Sequence, residues 1–158
     1  MPHPAYRYIE DLQVGERWMS EPVTLSAEDI SEFGRRYDPQ PMHVDAERAA
    51  SGPFGGLVAS GWHLTALAMR LSVEARSFGG TPIVGAGVDE LRWLVPVRPG
   101  DVLVLEREFI EITPPARPGG RGTVRSRMTV RNQRDEAVMT MVALSKVPAR
   151  PGNGSRAG

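Results

Sequence analysis

Hydrophobic positions recur with two different periods along this chain, helical before about residue 80 and alternating after residue 83. The first helix is predicted to open at Ser26, an N-cap with Asp29 three residues on, as in a capping box. Leu25 and Ile30 hold the positions of a hydrophobic staple, and Ile30, Phe33 and Tyr37 line one face. Pro39 disfavours the α conformation at Asp38, so the helix ends there. A short helical turn follows within residues 44–52, then a Gly-rich turn, then a second helix from about Ser60 to Arg76. Leu64, Leu67, Ala68 and Leu71 form one stripe of it, but Trp62, Ala66, Met69 and Val73 make the remainder apolar too. A helix apolar almost all round is expected to be enclosed. Gly79, Gly80 and Pro82 end it.

From residue 83 the pattern is β, with strands predicted at 88–95, 102–112, 123–131 and 137–147. In the third of these, Val124, Ser126, Met128 and Val130 share one face, and Arg125, Arg127, Thr129 and Arg131 the other. A shorter strand is expected from Trp18 to about Val23, after a loose arm at residues 1–7. One long helix among about five strands argues an α+β fold and against alternating βαβ units. The length suits a single domain, read as residues 1–147, with a Pro/Gly/Ser/Arg-rich tail at 148–158 expected to be disordered.

Composition removes several function classes. With 19 basic and 19 acidic residues the formal net charge is zero, which gives no electrostatic footprint for nucleic acid or a membrane surface. There is no cysteine, hence no disulfide, thiolate metal site or cysteine nucleophile. Three scattered histidines argue against a metal site. Gly85-Ala86-Gly87 lacks the third glycine and following helix of a dinucleotide loop, and Val58 occupies the first glycine position of a Gly-x-Ser-x-Gly elbow around Ser60. No apolar leader or long apolar run appears, so a cytoplasmic protein is expected.

The chemistry concentrates in residues 38–63. Asp38 and His43 lie five positions apart on a segment that Pro39 and Pro41 are expected to hold stiff and extended. Two proton-handling groups at a fixed separation suit acid–base chemistry. The segment resembles the MaoC-like, (R)-specific enoyl-CoA hydratase family of hotdog-fold proteins, whose motif reads Asp-x-Asn-Pro-Leu-His before a His-Gly-Met-Leu-type helix start. Asp38, Pro41, His43 and Gly61 match. Gln40 stands for the usual Asn and Ser60 for the usual His.

The resemblance implies a hotdog domain, an antiparallel sheet wrapped around one long helix, forming at least a homodimer. It implies hydration of a 2-enoyl-CoA, or the reverse dehydration of a 3-hydroxyacyl-CoA. Coenzyme A then enters as part of the substrate, and no cofactor is expected. Asp38 and His43 would hold the water, while the backbone N–H of Gly61 would face the enolate oxygen. Gln40 would hydrogen-bond the loop or His43. Ser60 would cap the helix or bond the Asp38 loop, with capping preferred. Trp62 and His63 are candidates for the acyl pocket or for the core, and Asp45 for an N-cap. Gly61 is alternatively a packing glycine, at which helix propensity alone would favour alanine by about 1 kcal/mol. Two other functions stay open, an acyl-CoA thioesterase and a non-catalytic acyl-CoA-binding partner subunit.

Overall fold

The computed structural model describes residues 5–152. Helix α1 (Ala27–Tyr37) opens as its sequence dictates: the Ser26 hydroxyl accepts from the Asp29 N–H, and the Asp29 carboxylate accepts from the Ser26 N–H. It ends at Asp38, whose N–H donates to the Gly34 carbonyl. The next segment departs from the extended run expected of it. Gln40 is extended, but Pro41 takes the first position of a one-turn helix α2 (Pro41–Val44), where its missing N–H costs nothing. A second short helix, α3 (Ala46–Ala50), follows, capped by Asp45 through the Arg48 N–H. The long helix α4 (Gly61–Glu74) comes after the Gly-rich turn.

Strands β1 (Arg17–Met19) and β2 (Val23–Thr24) replace the single early strand, since Pro22 cannot donate to a ladder. Strands β3 (Val84–Trp93), β4 (Val102–Thr113), β5 (Arg121–Arg131) and β6 (Ala137–Pro148) complete an antiparallel sheet in the order β1-β4-β5-β6-β3, with β2 paired to β4. The alternation expected of β5 is present, with Val124, Ser126, Met128 and Val130 buried. Its outward Arg125 and Arg127 pair with Asp89, Glu111 and Glu108 across the sheet.

Helix α4 lies on the inward face of the sheet, the hotdog arrangement. Leu64, Leu67, Ala68 and Leu71 enter a core with Leu103, Leu105, Met128, Val130 and Met139. Each such leucine contributes about 1.5–3 kcal/mol by leaving water. A smaller cluster of Ile9, Leu12, Phe78, Phe109, Val124 and Val147 fills the other end.

Two expectations need correction here. Helix α4 is enclosed on one side only: Trp62, Met69 and Val73 are exposed, beside the exposed Val84 and Val88 of edge strand β3. The chain ends are also more anchored than expected. Arg7 bonds Glu16, the Ser77 carbonyl and the Asp11 carbonyl, and Tyr6 bridges to Gly79. At the other end the Ala149 N–H donates to the Gly120 carbonyl, and the Arg150 N–H to Glu10. The ordered domain therefore runs past residue 147; the remainder of the expected tail, 153–158, lies outside the described residues, as do 1–4 of the arm. Among the described residues no helix is long and apolar enough to cross a membrane.

Candidate active site

Three pieces of chain converge at the N-terminal end of α4. The end of α1 supplies Asp38, α2 supplies His43, and the entry to α4 supplies Ser60 and Gly61. Backbone bonds hold them in register. The Val58 N–H donates to the Met42 carbonyl, and the Ala59 N–H to the Val97 carbonyl, so the strand-like run before α4 is fixed on both sides. Gly34 sets the approach of α1 to α2: a Cβ there would lie 2.7 Å from the His43 carbonyl oxygen. No side chain fits between these helices.

His43 is buried, and its Nδ1 lies 2.7 Å from the Val58 carbonyl oxygen. A carbonyl can only accept, so Nδ1 carries a proton, and Nε2 is the nitrogen left for another partner. Nε2 stands 3.2 Å from Asp38 Oδ2. That same oxygen accepts a 2.7 Å bond from the Ser60 hydroxyl, and Oδ1 accepts a 2.8 Å bond from the Gln40 amide. Burial pushes the Asp38 carboxyl up, but the Ser60 and Gln40 donors and the attraction of His43 outweigh it and hold the group below its ordinary value. Asp38 is thus ionised at neutral pH.

These bonds overturn the capping preferred for Ser60 and select between the two partners expected of Gln40. Ser60 precedes α4 without a side-chain cap; its hydroxyl is spent on Asp38. Gln40 bonds the carboxylate and not His43. Its extra methylene relative to Asn reaches back over two residues from outside the α2 turn.

Asp38, His43 and Gly61 share the wall of one cavity of about 420 Å3 with Gln40, Trp62 and Trp93. Met42, Val58, Leu64, Val95 and Val97 make its apolar side. At the helix start the Ser60 carbonyl accepts from His63 and Leu64, while the Gly61 N–H has no acceptor among the described residues. The dipole of α4 adds positive potential there.

Gly61 is also a packing glycine, the alternative expected of it, and Trp93 is the neighbour that the sequence did not reveal. The Trp93 indole lies flat against it, so a Cβ would fall 2.3 Å from the ring. Trp93 Nε1 donates to Thr65 Oγ1 at 3.2 Å, and Trp62 meets the Trp93 ring edge-on at 5.1 Å. The helix preference for alanine is therefore overridden at this position.

Of the remaining candidates, Trp62 joins this cavity and His63 does not. One residue along a helix is a rotation of about 100°, enough to turn His63 to the far side. There it stacks on Phe33 at 4.6 Å and lines a separate cavity of about 250 Å3 with Asp29, Glu32 and Arg70. Burial lowers its pKa, with Asp29 opposing.

Trp93, the Val58 carbonyl and Gly34 are site-forming residues that sequence reasoning missed. Gly34 had a signal, a lone glycine within an otherwise helical pattern. A backbone carbonyl has none. Among the described residues no group of three or more His, Asp or Glu side chains is placed to hold a metal ion.

The sequence matches the MaoC like domain family over residues 12–137. A MaoC-like dehydratase from Rhodospirillum rubrum superposes with a TM-score of 0.80 at 42% identity, covering 91% of this chain and 98% of that one. The (R)-hydratase PhaJ1 of Pseudomonas aeruginosa gives a TM-score of 0.71 at 27% identity, covering 92% and 88% of the two chains. A 3-hydroxybutyryl-CoA dehydratase of Methylorubrum extorquens is 29% identical over 156 residues, 95% of this chain and 90% of its own.

Proposed function

The chain belongs to the MaoC-like domain family, and from that membership and its Asp38–His43 pair we propose that it hydrates a 2-enoyl-CoA reversibly to the 3-hydroxyacyl-CoA. The observation that carries this reading is an ionised carboxylate 3.2 Å from an imidazole whose other nitrogen is engaged, both on the wall of a half-apolar cavity. Binding alone requires neither the pair nor the two donors that keep Asp38 charged.

In the proposed reaction a water sits against Asp38 and His43 on the cavity side. As its oxygen bonds to C3, the pair takes one proton from it, and the electron pair of the double bond moves to the thioester oxygen as an enolate. The enolate collapses to the thioester as C2 takes a proton from the same pair. Water is thereby added with no net change in the enzyme. The two groups act together, with His43 Nε2 and Asp38 Oδ2 as the exchanging atoms. The Gly61 N–H, free at the helix start, faces the developing enolate; a donor so placed is typically worth about 10²–10³ in turnover. Trp62, Met42 and Val97 form the acyl wall. Coenzyme A is part of the substrate and no further cofactor enters.

A second copy of the chain completes the fold in this reading. Strand β3 is an unpaired sheet edge, and the uncovered α4 side chains Trp62, Ala66 and Met69 line an apolar hollow with Val88, Met141 and Leu144. Trp62 belongs to this hollow and to the catalytic cavity alike, so the dimer seam borders the site. An open edge and an apolar face of this kind are covered by self-association. Light scattering at micromolar concentration is expected to show at least a dimer, and a monomer there removes this part of the reading.

The test of the activity is a panel of short, long, branched and dicarboxylic 2-enoyl-CoAs, following loss of the conjugated double bond and release of free thiol together. Loss of the double bond without thiol release is expected. Thiol release alone identifies a thioesterase, and acyl-CoA binding with neither change identifies a non-catalytic subunit.

A further inference from the structure

At the opposite end of α4 the sheet interior contains a charge that the proposed chemistry does not use. Arg107 on β4 is only 3% exposed, in the inward row between Leu105 and Phe109 and therefore between the two apolar clusters. No carboxylate comes within 4.0 Å of it among the described residues, and residues 1–4 and 153–158 contain no Asp or Glu. Its guanidinium stacks over the Phe78 ring at 4.5 Å. Among the described residues Nη1 and Nη2 reach only the Ser77 and Ser145 hydroxyls, at 3.4 and 3.3 Å, and the buried Nε has no partner. Burial lowers its pKa to about 10, so it remains charged at neutral pH.

A buried cation without a counter-charge is strongly disfavoured. Arg107 also lines a cavity of about 50 Å3, with Ser72, Ser77, Phe78, Thr81 and Arg76 among its walls. That volume exceeds what one water requires, about 10–15 Å3. The lining contains no acidic side chain. Its other hydroxyls are already engaged: Thr81 bonds the backbone of Arg7, and Ser72 donates to the Met69 carbonyl. The exposed Arg76 stands at the rim as a second cation. The hollow is thus lined by unspent donors and positive charge, and it is small.

We infer that this cavity is an anion site, in which a small monovalent anion of the halide class binds the Arg107 guanidinium and ties the C-terminal end of α4 to the sheet. The site is separate from the Asp38–His43 cavity, with which it shares no lining residue, so it stands independently of the proposed activity.

The experiment follows the melting of the protein at fixed ionic strength as gluconate is exchanged for chloride or bromide. Gluconate is too large for the cavity. Above the dissociation constant, each tenfold rise in halide is expected to raise Tm by roughly 3–5 °C. Arg107→Met is expected to lose that response. Crystals grown in bromide are expected to show an anomalous peak beside Arg107 Nε. Should Arg107→Met fail to fold, the wild-type melt and the bromide crystal decide by themselves. A halide response unchanged in Arg107→Met, or bromide crystals with only water in the cavity, overturns the assignment.

Discussion

The two ends of α4 handle charge in opposite ways. At the N-terminal end Asp38 is partly exposed, at 17% for its side chain, yet it has a hydroxyl, an amide and an imidazole directed at it. At the C-terminal end Arg107 is almost wholly buried, with two long hydrogen bonds and an idle Nε. The charge proposed to exchange protons is surrounded by groups that hold it ionised and leave one side open to the cavity. A charge with no such task, and with no carboxylate beside it among the described residues, leaves room for an ion. The arrangement around a charge, more than its burial, separates the two roles.

The largest expected effect comes from breaking the first of these arrangements. Asp38→Asn and His43→Ala should each lower turnover by about 10²–10⁴-fold, the usual cost of removing a positioned acid or base. Neither side chain contributes to the apolar clusters, so both variants should fold. Turnover measured on folded protein with a good substrate checks this, and near-parental activity in either variant removes the pair from the mechanism. Arg107→Met offers the contrast, since its folded fraction should keep turnover close to parental.

The same comparison explains what the sequence disclosed. Asp38, His43 and Gly61 were legible because their spacing follows a motif, and α1 was legible because its capping box and staple are local. The β5 alternation was legible for the same reason. Arg107 had a signal that was not used: Leu103, Leu105, Arg107 and Phe109 share one parity, which places a guanidinium on the inward face of β4. Trp93 against Gly61 and Val58 against His43 were not legible, because both depend on how distant segments are stacked by the core. The split of the early strand and the turn at Pro41 are tertiary choices too. In each, a proline occupies the position where a missing N–H does least harm, and the local pattern alone does not say which. His63 was misplaced because a helical apolar run does not indicate which of two cavities each neighbour faces.

Gly61→Ala sharpens the comparison within the catalytic end. Helix propensity predicts a small gain in stability, about 1 kcal/mol. The Trp93 ring reverses that expectation: a Cβ 2.3 Å from the indole forces it off its seat and off Thr65. Melting temperature should therefore fall, and turnover should fall by about 10²–10³-fold because the methyl obstructs access to the N–H. Adding Trp93→Ala separates the two causes. The double variant should recover much of the melting temperature and little of the turnover. If turnover returns along with stability, Gly61 serves only to seat Trp93, and the oxyanion role passes elsewhere.

The smallest effect, and the finest test of how Asp38 is controlled, is Ser60→Ala. The lost hydroxyl stabilises the ionised carboxylate, while the burial that pushes the carboxyl up remains. The folded-state pKa of Asp38 should rise, and the acid limb of the pH–rate profile should move to higher pH with its alkaline limb in place. Stability obeys the same sign. A depressed carboxylate contributes stability that is present above its unfolded pKa and is lost as pH falls through its folded one. The melting temperatures of parent and Ser60→Ala should therefore differ most near neutral pH and converge in acid. A serine acting only at the helix entry would give another pattern, a difference independent of pH and an acid limb that stays where it was. Since Ser60 makes no side-chain cap on α4, the convergent pattern is the expected one.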